Sequence, residues 1–366
     1  MALKTSGPDS PFEGRVRRLR DALVADDLGA LVVFDPLNVR YLTGFTGSAG
    51  VLLVLPGEAV LISDFRYRVQ AREQAPETRF LELEGRVSSL LPDLLSEVDG
   101  VVGIESDHVT VAEWERIRPN LDTVEHRLAG GMVQRLRRVK SGQEIRSIAH
   151  AADLAVAVME HLREMHVIGR TEHEVAFELE TWVRREGSGV LPFPVIVGWG
   201  PNGAKPHAEA GGTVIEDRGL LVVDLGASVD GYASDMTRTF ATGPVGEAET
   251  RAFETTLRAQ EAGRSAVRGG AVCAEVDAVA RAVITDAGFG EEFKHGLGHG
   301  VGLDVHEEPT LGPRSTDTLE SGMVVTVEPG VYLEGIGGVR IEDTVVVEEG
   351  GARVLTESDR SLAVLS

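Results

Sequence analysis

Five side chains able to ligate a metal stand in order in the second half of the sequence: Asp224 in VVDLGA, Asp235 in SDMTRTF, His299 in HGLGHGVGLDVHE, Glu328 in VEPG and Glu342 in RIED. Four carboxylates and one imidazole are what a pair of hard divalent cations needs. Carboxylates neutralise most of the charge of two dications and can bridge them, so hydroxide can be held between the metals at neutral pH. A hydrolytic metalloenzyme is the leading reading. Oxygen donors with one nitrogen suit Mn2+, with Zn2+, Fe2+ or Co2+ as substitutes.

The local settings sharpen this chemistry. The run 220–225 is apolar except for Asp224, and a charge in a buried strand is expensive unless it is paired or metal-bound. Asp230-Gly231 is a strong hairpin signal. A two-residue turn there sets Asp224 opposite Thr237 and brings Asp235 within a diagonal step on the same face. Two carboxylates so placed repel each other and raise a pKa unless a cation lies between them. The bland alternative is that each caps a turn or pairs with Arg238. His295 and His299 have the i, i+4 spacing of a zinc-protease helix, but no Glu follows the first, and the glycines favour a loop leading into a strand. Three histidines in that one segment, His295, His299 and His306, outweigh the ordinary expectation for a lone structural histidine. Glu328 ends the apolar run MVVTVE before Pro-Gly turns the chain. In VRIEDTVVV, strand alternation puts Arg340, Glu342 and Thr344 on one face and Val339, Ile341 and Asp343 on the other.

Elements must position these groups, and periodicity supplies them. Helices are expected at 143–166, at 172–186, at 247–268 and at 274–287; Ser141/Glu144 and Thr171/Glu174 form capping boxes ahead of the first two. Strands are expected at 193–198, 220–225, 232–240, 323–328 and 338–348. Upstream, a helix over 12–27 and strands near 30–34, 51–55 and 60–62 describe a separate small α/β domain. The basic stretch RLAGGMVQRLRRVK reads as a solvated linker or helix face, with the boundary near Gly131.

Composition narrows the classes further. The chain has 366 residues, 42% hydrophobic and 26% charged, enough for two domains. Its net charge of −22 repels nucleic acid and anionic membrane. The single cysteine, Cys273, excludes an intramolecular disulfide or a thiolate cluster and is expected as a small buried residue in a helix. MALKTSGPDSPFEGRVRRLR has no apolar run before its charged helix, and no window approaches the length of a membrane span. A soluble, cytoplasmic protein is expected.

Taken together, the segments resemble the pita-bread metallopeptidases, and within them the Xaa-Pro aminopeptidases (aminopeptidase P) and Xaa-Pro dipeptidases (prolidases). NVRYLTGFTGSAG and SDFRY are similar to the creatinase-type N-terminal domain; GPNGAKPHA, DLGASVDGYASDMTRTF, HGLGHGVGLDVHE, TVEPGVY and GGVRIEDT are similar to successive catalytic-domain motifs. The resemblance implies an α/β (α+β) architecture: a creatinase-like N-terminal domain over 12–130, a linker over 131–142 and a pita-bread domain over 143–366. It implies two divalent metals per subunit, with Asp224 on one, Asp235 and Glu342 bridging, and His299 and Glu328 completing the other. Glu328 becomes the proton shuttle; His207 in KPHA and His306 orient the scissile carbonyl and stabilise its oxyanion; His295 lines the proline side, and Arg340 shapes the substrate end. Peptides with proline at the second position become the substrates, cut at the N-terminal Xaa-Pro bond, and a homodimer the expected assembly. Trp199 and Lys205 depart from the family pattern at the rim of the site. The alternatives are a dipeptidase restricted to Xaa-Pro dipeptides, a methionine aminopeptidase, and a non-catalytic pita-bread binding protein.

Overall fold

The computed structural model describes residues 10–366. The chain divides into two compact units, one ending at Arg137 and the other beginning at Arg138.

The first unit is built on a six-stranded mixed sheet. Helix α1 (Pro11–Ala25) starts where the Ser10 hydroxyl accepts the Phe12 N–H and Pro11 fills the first turn; it buries Val16, Leu19 and Leu23. Strand β1 (Leu28–Val33) lies centrally, followed by α2 (Pro36–Thr43), the hairpin β2 (Val51–Val54) and β3 (Ala59–Ser63), α3 (Arg68–Gln74), β4 (Arg79–Glu82), α4 (Leu91–Leu95), β5 (Val101–Ile104), α5 (Val111–Ile117) and β6 (His126–Leu128). The spatial order is β4-β3-β2-β1-β5-β6, and its core strands read as near-continuous Val/Leu/Ile runs.

The expected linker over 131–142 is in part a helix, α6 (Met132–Arg138). Arg135 is solvent-exposed as expected, but two of the other basic residues are not. Arg137 is buried and donates to Asn38 Oδ1 at 2.8 Å, while Lys140 is buried against Glu307 at 3.1 Å. A buried guanidinium or ammonium needs such acceptors, and residue type alone does not disclose them.

In the second unit, α7 (Gly142–Glu164) and α8 (Glu172–Arg185) each open with the expected capping box. Strand β7 (Ile196–Trp199) and β8 (Leu220–Leu225) lead to the small hairpin β9 (Ser228–Val229) and β10 (Tyr232–Ala233), then to β11 (Met236–Ala241). Asp230 and Gly231 both have positive φ, 52° and 81°, which defines the two-residue turn and pairs Thr237 with Asp224 as the sequence predicts. The expected single strand over 232–240 is interrupted at Ser234 and Asp235. Helices α9 (Glu247–Ala266) and α10 (Cys273–Asp286) precede β12 (Gly298–Gly300), β13 (Glu307–Leu311), β14 (Val324–Val327), β15 (Gly330–Leu333), β16 (Gly337–Arg340), β17 (Asp343–Glu348) and β18 (Gly351–Val354). Cys273 is buried at the start of α10. The expected strand over 338–348 is two strands in different sheets: β16 pairs with β15, and β17 with β14 and β18.

Helices cover one face of each main sheet. Leu154, Val158, Val175 and Leu179 pack against Val197, Leu221 and Val223, which leaves Asp224 on the opposite face of β8. Phe253, Ala259, Val276 and Ala280 pack against Val325, Val327, Val345 and Val347, leaving Thr326 and Thr344 on the other side. No described helix is long and apolar enough to cross a membrane.

Candidate active site

The uncovered faces of these sheets line a cavity of about 1000 Å3, and every site residue expected from the sequence borders it: His207, Asp224, Asp235, His295, His299, His306, Glu328, Arg340 and Glu342. Asp224 comes from the end of β8, Asp235 from the break before β11, His299 from β12, Glu328 from just beyond β14, and Glu342 from between β16 and β17. Ligand atoms of Asp235, His299 and Glu342 lie within 4.8 Å of one another, close enough for one cation.

Thr237 sits under the cluster. Its hydroxyl donates to Glu342 Oε2 at 2.6 Å and accepts Arg340 Nε at 3.0 Å. Arg340 Nη2 reaches Asp224 Oδ2 at 2.5 Å, and Nη1 donates to Tyr332 Oη and to the Pro206 carbonyl at 3.0 and 2.9 Å. Among the described residues, Asp224 Oδ1 and Glu342 Oε1 are buried without a hydrogen-bond partner. Orphaned, buried carboxylate oxygens in such a cluster are what a cation would satisfy, so this donor set fits a divalent metal.

The electrostatics point the same way. Burial raises the Asp235 carboxyl well above its usual range, and Glu342, Asp224 and Glu328 push it further. Glu342 is likewise driven well above the usual range by burial and by Glu328 and Asp224. Burial also raises Asp224, with Arg340 opposing. Arg340 is the guanidinium available to this cluster, too little positive charge for four carboxylates. Glu328 behaves differently: burial works against its ionisation, but the hydrogen bond and charge of His299 hold it at about 2. His299 is correspondingly raised to about 9, because the Glu328 contact at 3.2 Å outweighs its own burial. Its Nδ1 lies 3.0 Å from the Gly300 carbonyl, which directs Nε2 toward the carboxylates.

The remaining histidines flank this cluster. His295 Nδ1 faces the Gly296 carbonyl at 2.8 Å and Nε2 lies 3.1 Å from the Tyr332 hydroxyl. Burial lowers its pKa, so the neutral ring can accept from Tyr332, which accepts in turn from Arg340. His306 stacks edge-on to His299 with centroids 4.4 Å apart, and burial lowers its pKa as well. His207 is exposed at the cavity wall. Tyr332 and Thr237 were not singled out by the sequence: each looks like an ordinary strand residue, and the partners that give it a role are distant in the chain.

A buried, acid-rich, metal-competent cluster on the wall of a cavity is what a metal-dependent hydrolase requires. Residues 146–349 match metallopeptidase family M24, and residues 15–139 match the creatinase/prolidase N-terminal domain. An uncharacterised peptidase of Bacillus subtilis is 35% identical, with 96% of this chain and 100% of that one covered. The solved Xaa-Pro dipeptidase from Bacillus anthracis is 37% identical over 97% of this chain and all of that one, with a TM-score of 0.93. The X-Pro aminopeptidase from Thermotoga maritima is 32% identical over 96% and 100%, with a TM-score of 0.86. This chain belongs to metallopeptidase family M24. It is a hydrolase with a creatinase-type N-terminal domain and an M24 catalytic domain, and family membership implies divalent metal ions.

Proposed function

We propose that this protein hydrolyses the Xaa-Pro bond at the N-terminus of peptides. The observation that carries the reading is the buried excess of carboxylate over cation at Asp224, Asp235 and Glu342, with two oxygens left orphaned. Asp224, Asp235, His299, Glu328 and Glu342 would hold two divalent cations, with Mn2+ the metal that an oxygen-rich set favours. When bound, the cations supply Lewis acidity and lower the pKa of water enough to give a nucleophile at neutral pH.

The chain's own residues do the rest. Glu328 takes a proton from the attacking water and delivers it to the proline nitrogen as the C–N bond breaks, so acid and amine form without an acyl-enzyme. His306, whose pKa is lowered by partial burial and by the charge of His299, and His207 donate to the oxygen of the scissile carbonyl as it becomes an oxyanion. The Arg340–Tyr332–His295 chain fixes the wall on which the proline ring rests. Because a proline amide has no N–H, this wall selects by shape rather than through a hydrogen bond to the scissile amide.

A reading restricted to dipeptides is favoured by the name of the Bacillus anthracis relative. Mn2+-reconstituted protein is therefore assayed on Ala-Pro and Ala-Pro-Ala side by side. Turnover of both supports the broader activity, and turnover of Ala-Pro alone establishes the dipeptidase. No turnover of either by protein that holds metal overturns the proposal.

A further inference from the structure

His207 and His306 differ from the other two histidines of the site in being exposed; His306 packs edge-on against His299, whereas His207 has no such ring contact among the described residues. Those of the cluster are fixed by ring hydrogen bonds, His295 at Gly296 and Tyr332 and His299 at Gly300. The His207 ring is exposed, and no hydrogen bond to it is made among the described residues. Its position over the cavity must be set by the backbone that carries it, the loop between β7 and β8.

That loop is tied at its neck by one carboxylate. Glu172, the first residue of α8, is fully buried. Its Oε1 accepts the Trp199 backbone N–H at 2.8 Å; Oε2 accepts the Asn202 side-chain amide at 2.9 Å and the Gly211 backbone N–H at 3.1 Å. Trp199 and Gly211 bracket His207, so the two ends of its loop are held by a single side chain. Asn202 extends the tie inward: its amide also donates to the Glu209 carbonyl at 3.1 Å, and its Oδ1 accepts Lys205 Nζ at 3.0 Å. On the cavity side, Arg340 donates to the carbonyl of Pro206, the residue before His207. The backbone of α8 adds two more links, Glu172 N–H to Thr213 and His173 N–H to Gly211, both at 3.0 Å.

A buried carboxylate held by neutral N–H groups at a helix N-terminus is stabilised by the helix dipole and by charge-assisted hydrogen bonds. Spending all of them on one loop makes geometric sense when that loop carries a group that must be placed to within a fraction of an ångström. We propose that Glu172, acting through Asn202, is the positioning residue for His207. The inference rests on the reading that His207 contacts substrate.

Glu172→Gln preserves shape but turns an NH2 group toward one of the three donors. In Mn2+-reconstituted protein it is expected to lower kcat/KM on Ala-Pro-Ala or Ala-Pro by about tenfold, as a modest misplacement of a catalytic group does. Bound metal stays unchanged, and amide exchange across 199–211 accelerates. In the His207→Ala background the same substitution has almost no further effect, because the group it positions is gone. Asn202→Ala, at a less buried site, gives a smaller loss with the same dependence on His207 and carries the test if Glu172→Gln does not fold. Equal fold-losses with and without His207, or loss of metal from Glu172→Gln, overturn the inference. Unchanged kcat/KM in His207→Ala overturns the substrate role of His207 itself and this inference with it, a result separable from the first two.

Discussion

Glu342 and Asp343 are neighbours in the chain and both are buried, yet their surroundings are opposite. Asp343 accepts Arg238 Nη2 at 2.8 Å, Arg360 Nε at 2.7 Å, the Gln260 amide at 2.7 Å and the Thr356 hydroxyl at 3.3 Å. Glu342 accepts one hydroxyl, from Thr237, and keeps an oxygen without a partner. The change of sheet explains how adjacent residues reach such different places: Glu342 lies in the link between β16 and β17 and borders the cavity, while Asp343 opens β17 and meets Arg238 and Arg360. The contrast separates two uses of a buried charge. One carries its counter-ions in the sequence, and the other needs them from solution.

The largest effect that can break this comparison is metal removal. Chelated protein is expected to lose all measurable peptidase activity and to regain it with Mn2+, whereas the Asp343 network needs nothing added. Full activity in thoroughly demetallated protein would end the distinction. Glu342→Ala should reproduce the loss, with metal content below that of the parent, while leaving the metal-free fold at least as stable because the cost of burying an incompletely partnered carboxyl group has gone. Asp343→Ala should do the reverse. It strands Arg238 and Arg360 in the interior and is expected to destabilise by about 3–5 kcal/mol, read from denaturant midpoints. If the two substitutions destabilised the metal-free protein equally, the contrast between their settings would have no energetic meaning.

A smaller effect appears in the pH dependence of the metal-free protein. Asp235 and Glu342 have raised pKa values when folded, so the native state keeps protons that the unfolded chain releases near pH 4. Their contribution to stability is present at acid pH and is lost as the pH rises through the raised values, by up to about 1.4 kcal/mol per pH unit for each retained proton. Cations take the place of those protons, so metal-loaded protein should show a flatter profile. Thermal midpoints between pH 5 and pH 8, with and without chelator, check the sign. A metal-free protein that gains stability across that range would contradict it.

What could be read from the sequence follows from the range of each interaction. The Asp224–Thr237 register was legible because the Asp230-Gly231 turn is local and fixes every pair behind it. The capping boxes of α7 and α8 were legible for the same reason. The strand over 338–348 was misread as continuous, because alternation persists across Ile341 and Glu342 even though the chain changes sheets there. Residue type alone presents Arg137 and Lys140 as solvated charges, because their acceptors Asn38 and Glu307 are far away in sequence. Tyr332 gave no signal for a similar reason: it gains a role only when folding brings Arg340 and His295 to its hydroxyl.

The smallest expected effect sharpens the comparison from a third side. Glu105, in the N-terminal unit, is buried and, among the described residues, has neither a metal-competent cluster nor a guanidinium partner: it accepts the backbone N–H groups of Phe34 and Asp35, each at 2.7 Å, and the Asn38 amide at 2.6 Å. Burial raises its pKa while these donors pull it back down. Glu105→Gln retains a carbonyl for two of the donors and presents an NH2 group to the third, so the expected loss is about 1 kcal/mol, near the net worth of one hydrogen bond. Metal stoichiometry should stay unchanged. A loss as large as that of Asp343→Ala would show that neutral donors hold a buried carboxylate as firmly as a pair of guanidinium groups does. The lack of a cation beside Asp235 and Glu342 would then no longer be enough to mark them as a metal site.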